Sequence, residues 1–115
     1  MRFLNSKLKI ENTILQNIAK KYGTPAYCYS YKQLRENIND FKKNFKSISP
    51  LICFAIKSNT NLNLIKEIKK FGLGADVVSM GELMLALKAG ISPKKIVFSG
   101  VGKTCLLYTS PSPRD

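Results

Sequence analysis

The sequence predicts an α/β fold built from successive parallel strand-and-helix units. Two observations carry this expectation. Short continuous apolar runs alternate with amphipathic segments at helical spacing, and the runs end near Lys57, Ser79 and Ser99, at intervals of 22 and 20 residues. Runs without polar alternation suit strands covered on both faces, and a recurring strand-helix-strand order implies parallel pairing through right-handed crossovers.

The first element is a short amphipathic helix over Asn12 to Tyr22, with Ile14, Leu15, Ile18 and Tyr22 on one face, Asn12 as N-cap and Gly23 as the stop. Gly23-Thr24-Pro25 breaks it, and Ala26-Tyr27-Cys28-Tyr29 reads as a short strand. Ser30 and Gln33 stand at capping-box spacing, so a second helix is predicted from Tyr31, burying Leu34, Ile38, Phe41 and Phe45. After a turn at Ser47 to Pro50, the run Leu51 to Ile56 is the first two-sided strand, and it stops at Lys57. The polar loop Ser58 to Asn61 leads into a helix from Leu62 to Phe71, terminated by Gly72 and Gly74.

The next unit repeats this plan. Ala75 to Val78 is a strand, Ser79 and Glu82 form a second capping box, and Met80, Leu83, Met84 and Leu87 make a helix face closed by Gly90. Ser92-Pro93 turns the chain into a third strand, Ile96 to Phe98. Three parallel strands leave open edges and much apolar surface, whereas a complete (β/α)8 TIM-type barrel needs roughly 250 residues. The chain is therefore read as the first part of such a barrel, truncated after about three βα units.

The last eleven residues, Cys105 to Asp115, have no helical or strand period and begin where a third crossover helix is due. The string CLLYTSPSPRD is what a transposase-type sequencing adapter encodes when translated. Residues 105–115 are accordingly excluded from fold and function as non-native.

Composition sets the remaining bounds. With 44% hydrophobic and 23% charged residues the chain is of ordinary globular type. No apolar run approaches the roughly 20 residues that span a bilayer, and the N-terminus lacks the pattern of a signal peptide, so a cytoplasmic location and no membrane partner are expected. Cys28, Cys53 and Cys105 lack metal-ligand spacing, so neither a zinc site nor a disulfide is expected. A net charge of +12 raises the question of nucleic acid. The lysines fall on presumed outer helix faces (Lys42, Lys43, Lys46, Lys66, Lys69, Lys70) without an accompanying recognition motif, so no nucleic-acid partner is expected.

Lys57 is the first candidate for chemistry. The C-terminal ends of parallel barrel strands are where active sites are built, and a lysine sheltered there would present a nucleophilic amine for Schiff-base formation. The alternative is a strand-end lysine that simply reaches solvent. Asp76 lies at the equivalent end of the next strand, where its carboxylate can hydrogen-bond or electrostatically tune Lys57, or else serve a local turn. Glu82 is a candidate cofactor contact, although its spacing from Ser79 suits the capping box better. The segment Gly100-Val101-Gly102-Lys103-Thr104 imitates a phosphate-binding P-loop, but that motif needs glycine where Val97 stands.

Four blocks add a family resemblance: Tyr22-Gly23-Thr24-Pro25-Ala26-Tyr27; Phe54-Ala55-Ile56-Lys57-Ser58-Asn59; Ala75-Asp76-Val77-Val78-Ser79 with Gly81-Glu82-Leu83; and Lys95 to Thr104. In this order and at these spacings, they resemble the diaminopimelate decarboxylases, fold-type III enzymes dependent on pyridoxal 5′-phosphate (PLP). The resemblance covers nearly all of Lys9 to Thr104. It implies an alanine-racemase-like barrel over residues 31–104, with residues 1–30 packing against a C-terminal β domain, and a homodimer with active sites at the subunit interface. It also implies that Lys57 carries the cofactor and that the amino-acid substrate meso-2,6-diaminopimelate is converted to L-lysine. The substrate, phosphate and pyridine-nitrogen partners would lie on later segments, so the 115-residue chain alone is expected to be inactive. Two other readings remain: a related decarboxylase acting on ornithine, arginine or carboxynorspermidine, and a non-catalytic PLP-binding regulator.

Overall fold

In the computed structural model, residues 7–101 are described in full and residues 2–4 by their backbone. The Gly-Lys-Thr segment at 102–104 and the tail at 105–115 lie outside the described residues. The chain forms two compact units that divide between Ser47 and Ile48, whereas the sequence division fell after residue 30.

The first unit opens with an antiparallel sheet of β1 (Arg2–Leu4), β2 (Lys7–Ile10) and β3 (Thr13–Ile14), in that order. The sequence reading missed this sheet, although Lys7-Leu8-Lys9-Ile10 alternates polar and apolar residues as a one-sided strand does. Thr13 and Ile14, assigned above to a helix, instead pair with Ile10 and Lys9 across the two-residue turn Glu11-Asn12. Glu11 takes φ 53°, a left-handed turn conformation. Helix α1 consequently starts later, at Leu15–Tyr22, with Ile14 as an N-cap that offers no side-chain acceptor in place of Asn12. It ends as expected at Gly23, where φ is 82°.

Residues 26–30 form no strand. Aromatic composition favours β structure only when a neighbouring edge supplies hydrogen bonds, and Tyr27 is 90% exposed. Helix α2 (Tyr31–Asn44) begins where predicted, with Ser30 Oγ accepting from Gln33 N at 3.0 Å. Of its four expected anchors only Ile38 is buried. Phe41 and Phe45 stack on each other with centroids 4.7 Å apart and remain exposed within the unit.

Glu11 ties the turn between β2 and β3 to this helix. Its Oε1 accepts from Ser30 Oγ at 2.7 Å and from Lys32 N at 2.8 Å, satisfying a first-turn N–H that no helical carbonyl can reach. These hydrogen bonds hold the Glu11 carboxyl below the usual glutamate range.

The second unit contains the parallel sheet, with strands β4 (Cys53–Ala55), β5 (Gly74–Val77) and β6 (Ile96–Phe98) in sequence order. Helices α3 (Leu62–Lys70) and α4 (Met80–Lys88) are the crossovers. The pairing is parallel throughout, with Ala55 beside Asp76 and Asp76 beside Val97. One face of the sheet packs against the helices through Ile56, Ile65, Ala75, Val77, Ala86, Ile96 and Phe98. At about 1.5–3 kcal/mol for each large side chain buried, this cluster is the main source of the unit's stability.

Strand β4 is shorter than the predicted Leu51 to Ile56, because the backbone turns into a 3-10 segment at Ile56–Ser58 while Ile56 stays buried. In α4 Met80, Leu83, Leu85 and Ala86 pack inward, joined by the C-cap Ala89, whereas Met84 and Leu87 face outward. Small alanines allow the helix to lie close on β5, so the face expected from the sequence is only partly used. Gly74 is required by a still closer approach. A Cβ there would lie 2.2 Å from the Lys95 carbonyl oxygen and 2.9 Å from Cys53 Sγ.

Two outcomes test this packing. Ile65→Ala is expected to cost about 2–5 kcal/mol in denaturant unfolding, while Met84→Ala stays within about 0.5 kcal/mol; equal losses would contradict the assigned face. Because the Glu11 carboxyl is depressed in the folded state, its contribution is fully present above the ordinary glutamate range and fades as pH falls through the folded value. Glu11→Gln should therefore flatten the acid limb of Tm against pH, and an unaltered limb would count against the tie to α2.

Candidate active site at the C-terminal end of the parallel sheet

The alternation of side chains along the strands separates two environments. Ala75 and Val77 of β5, with Ile96 and Phe98 of β6, face the helices and are buried. The other parity, Cys53 and Ala55 on β4, Gly74 and Asp76 on β5 and Val97 on β6, belongs to the opposite face, only Gly74 being fully buried. That face is lined mainly by small residues, with Asp76 the carboxylate near its C-terminal end.

Lys57 occupies the middle of the 3-10 turn that follows β4. The turn is held by local hydrogen bonds: Ser58 Oγ donates to the Ala55 carbonyl at 2.7 Å, and Asn59 N donates to the Ile56 carbonyl at 2.9 Å. Downstream, Asn59 Oδ1 accepts from Asn61 N and Asn61 Oδ1 caps α3 through Asn63 N. With Ile56 fully buried on one side and an Asx-turned loop on the other, the backbone beneath Lys57 is fixed. Its side chain is exposed rather than partly desolvated, and no described residue hydrogen-bonds or ion-pairs with its amine.

Asp76 and Lys57 therefore share one end of the sheet, but they do not form an ion pair. The Asp76 carboxylate is engaged by Ser99, whose Oγ donates to Oδ1. Ser99 is itself placed by its N–H, which donates to the Val77 carbonyl at 3.0 Å and extends the pairing of β6 with β5 beyond the strand. The sequence marked Ser99 only as a strand end. The signal for its role was positional, because Ser99 lies two residues past Val97, the partner of Asp76, and so stands on the same sheet face one repeat beyond the carboxylate.

Glu82 is occupied at the start of α4. Its Oε2 accepts from Val78 N at 2.8 Å while its own N–H donates to Ser79 Oγ at 3.2 Å, the reciprocal arrangement of a capping box. This is the role its spacing suggested. Nearby, Gly100 lies against β5, where a Cβ would meet the Val78 carbonyl oxygen at 2.4 Å. Cys53 is a second feature that the sequence did not single out. Burial pushes its thiol up, and the Asp76 carboxylate adds to the effect.

The site thus offers an unengaged primary amine at the C-terminal end of a parallel strand and a hydrogen-bonded carboxylate on the adjacent strand. Comparison with known proteins identifies the family to which this fold belongs. Residues 31–106 match the family described as pyridoxal-dependent decarboxylase, pyridoxal binding domain. A diaminopimelate decarboxylase of Aquifex aeolicus (strain VF5) is 44% identical over 104 residues, covering 90% of this chain and 24% of that protein. Among solved structures, diaminopimelate decarboxylase from M. jannaschii in co-complex with L-lysine superposes with a TM-score of 0.82 at 36% identity, covering 87% of this chain and 24% of that one. The Helicobacter pylori diaminopimelate decarboxylase complexed with L-lysine gives 0.74 at 40% identity, covering 81% and 24%.

The chain belongs to the pyridoxal-dependent decarboxylase family, whose pyridoxal-binding domain its residues 31–106 match. It spans about a quarter of the length of the curated relatives it matches, and its strands, helices and order are those of the beginning of the family's barrel. The cofactor that membership assigns is PLP. The residues present fit it, because an exposed amine without a protein partner is what covalent attachment to an aldehyde requires.

The coupling between Cys53 and Asp76 is directly measurable. In a chain with Cys28 and Cys105 replaced by serine, Asp76→Asn removes a neighbouring negative charge and should lower the thiol's midpoint. Alkylation of Cys53 below that midpoint should then accelerate, and an unchanged pH profile would place the carboxylate elsewhere.

Proposed function

We propose that the protein of which this chain is the pyridoxal-binding part decarboxylates meso-2,6-diaminopimelate to L-lysine, with Lys57 as the residue that carries PLP. The observation that carries the proposal is Lys57 itself, fixed at the C-terminal end of β4 with its amine unengaged, in a chain whose relatives are named diaminopimelate decarboxylases. Two neighbouring structures hold L-lysine, the product this reaction would give.

When bound, PLP supplies an electron-withdrawing ring that accepts the electron pair left as the α-carboxylate departs as carbon dioxide. The chain's own contribution is placement. The buried Ile56 and the hydrogen-bonded turn hold the backbone of Lys57 at one end of the sheet, which would limit where an attached cofactor can lie. Lys57 would hold the cofactor; when its amine is free it can take up a proton at Nζ, and Asp76, on the adjacent strand at the same end of the sheet, is the carboxylate that would balance its charge. On that sheet face Ala55 presents only a methyl group beside Asp76, which would leave room there for a planar ring. Glu82 completes the helix start beneath this end and is not needed as a cofactor ligand.

The same reading places residues 1–30 against a C-terminal β domain and makes the active protein a cytoplasmic homodimer. It needs neither a membrane nor nucleic acid. No helix among the described residues is long and apolar enough to cross a membrane, and the lysines named above are exposed along helices and turns.

The test is the longer polypeptide that contains these residues, supplied with PLP and meso-diaminopimelate. Stoichiometric release of carbon dioxide and L-lysine is expected, and Lys57→Ala should lower kcat/KM by roughly a thousandfold or more. Borohydride reduction followed by peptide mass analysis should locate the cofactor on Lys57. Label on another lysine, or undiminished turnover in Lys57→Ala, would overturn the assignment.

A further inference from the structure

We propose that Ser99 is a positioning residue for the site: its hydroxyl fixes one oxygen of Asp76 so that the other stays at the end of the sheet where the turn carrying Lys57 leaves β4. The inference deepens the proposed function and rests on it, but the geometry comes from three independent placements.

The first is the hydrogen bond from Ser99 Oγ to Asp76 Oδ1. The second is the backbone bond from Ser99 N to the Val77 carbonyl, which fixes the height of the hydroxyl relative to β5. The third is register. Asp76 stands between Ala55, two residues before Lys57, and Val97, two residues before Ser99. Lys57 and Ser99 therefore leave the two flanking strands one side-chain repeat beyond Asp76, at the same end of the sheet.

A half-buried aspartate without such a donor has several rotamers open to it, some directed to solvent beyond the sheet end. Holding one oxygen removes most of that freedom. Oδ2 has no hydrogen-bond partner among the described residues, so it is the atom left to face a cation. Within the proposed reaction, that cation is the Lys57 amine after its release and protonation. Ser99 touches neither the substrate nor the cofactor in this account. It acts only through Asp76.

Gly100 supports the same construction. Its Cβ-free backbone passes against the Val78 carbonyl oxygen, which brings the segment after β6 close over the end of β5 and keeps Ser99 above Asp76.

The experiment uses Cys53 as a reporter on the same sheet face, in the cofactor-free 115-residue chain with Cys28 and Cys105 replaced by serine. If Ser99 holds Asp76 in place, Ser99→Ala lets the carboxylate leave the neighbourhood of the thiol and should mimic Asp76→Asn. Alkylation of Cys53 below the thiol midpoint should rise by about two- to threefold, and Ser99→Thr, which keeps the hydroxyl, should restore the original profile. Circular dichroism of each variant confirms that the sheet persists. A Ser99→Ala profile identical to that of the parent overturns the proposal, as does a threonine variant that behaves like alanine. In the longer, PLP-loaded polypeptide, Ser99→Ala is further expected to lower kcat about tenfold with little change in KM, again rescued by threonine. Failure of the decarboxylase reading shows up separately, as absence of cofactor on Lys57 whatever residue stands at 99.

Discussion

Strand β5 is the constraint on which the rest of the parallel unit depends. It hydrogen-bonds to β4 on one side and β6 on the other, and Ala75 and Val77 are completely buried against the helices. Its first residue has to be glycine, because the Lys95 carbonyl passes through the space a side chain would need. Any change that moved β5 would shift Asp76 relative to Lys57 and Ser99 together, since each is placed by a strand paired to it or by the turn leaving that strand.

This dependence explains how so small a sheet can define a chemical site. The helix-facing side is closed by aliphatic and aromatic groups, which makes the strands rigid. The opposite side carries small residues and one carboxylate, which makes it receptive. Side chains of opposite parity on one strand thus serve stability and chemistry separately, and the turn after β4 delivers Lys57 to the end where both meet. In the proposed function this division has a purpose, because a cofactor bearing a planar ring would need both an amine on a fixed backbone and open space beside it.

The first unit is organised differently. Its antiparallel strands are short, its tyrosines at 22, 27, 29 and 31 are exposed, and much of its order comes from polar ties such as that from Glu11 to the start of α2. A segment of this kind has little core of its own. That is consistent with the proposed role of residues 1–30 as one side of a larger domain contact.

The sequence by itself determined the parallel strand order, the starts of α2, α3 and α4, the glycine stops and the prominence of Lys57. These rest on signals local in the chain: apolar runs, capping residues and, for Lys57, a motif in an ordered set of blocks. The tertiary structure decided what depends on a partner distant in sequence. Thr13 and Ile14 became a strand because β2 offered hydrogen bonds, whereas Ala26 to Tyr29 join no strand ladder among the described residues. The inward row of α4 was set by how closely it lies on β5. The link between Ser99 and Asp76 could not be read in advance, because residues 23 apart in sequence meet only once the ladder has fixed their register.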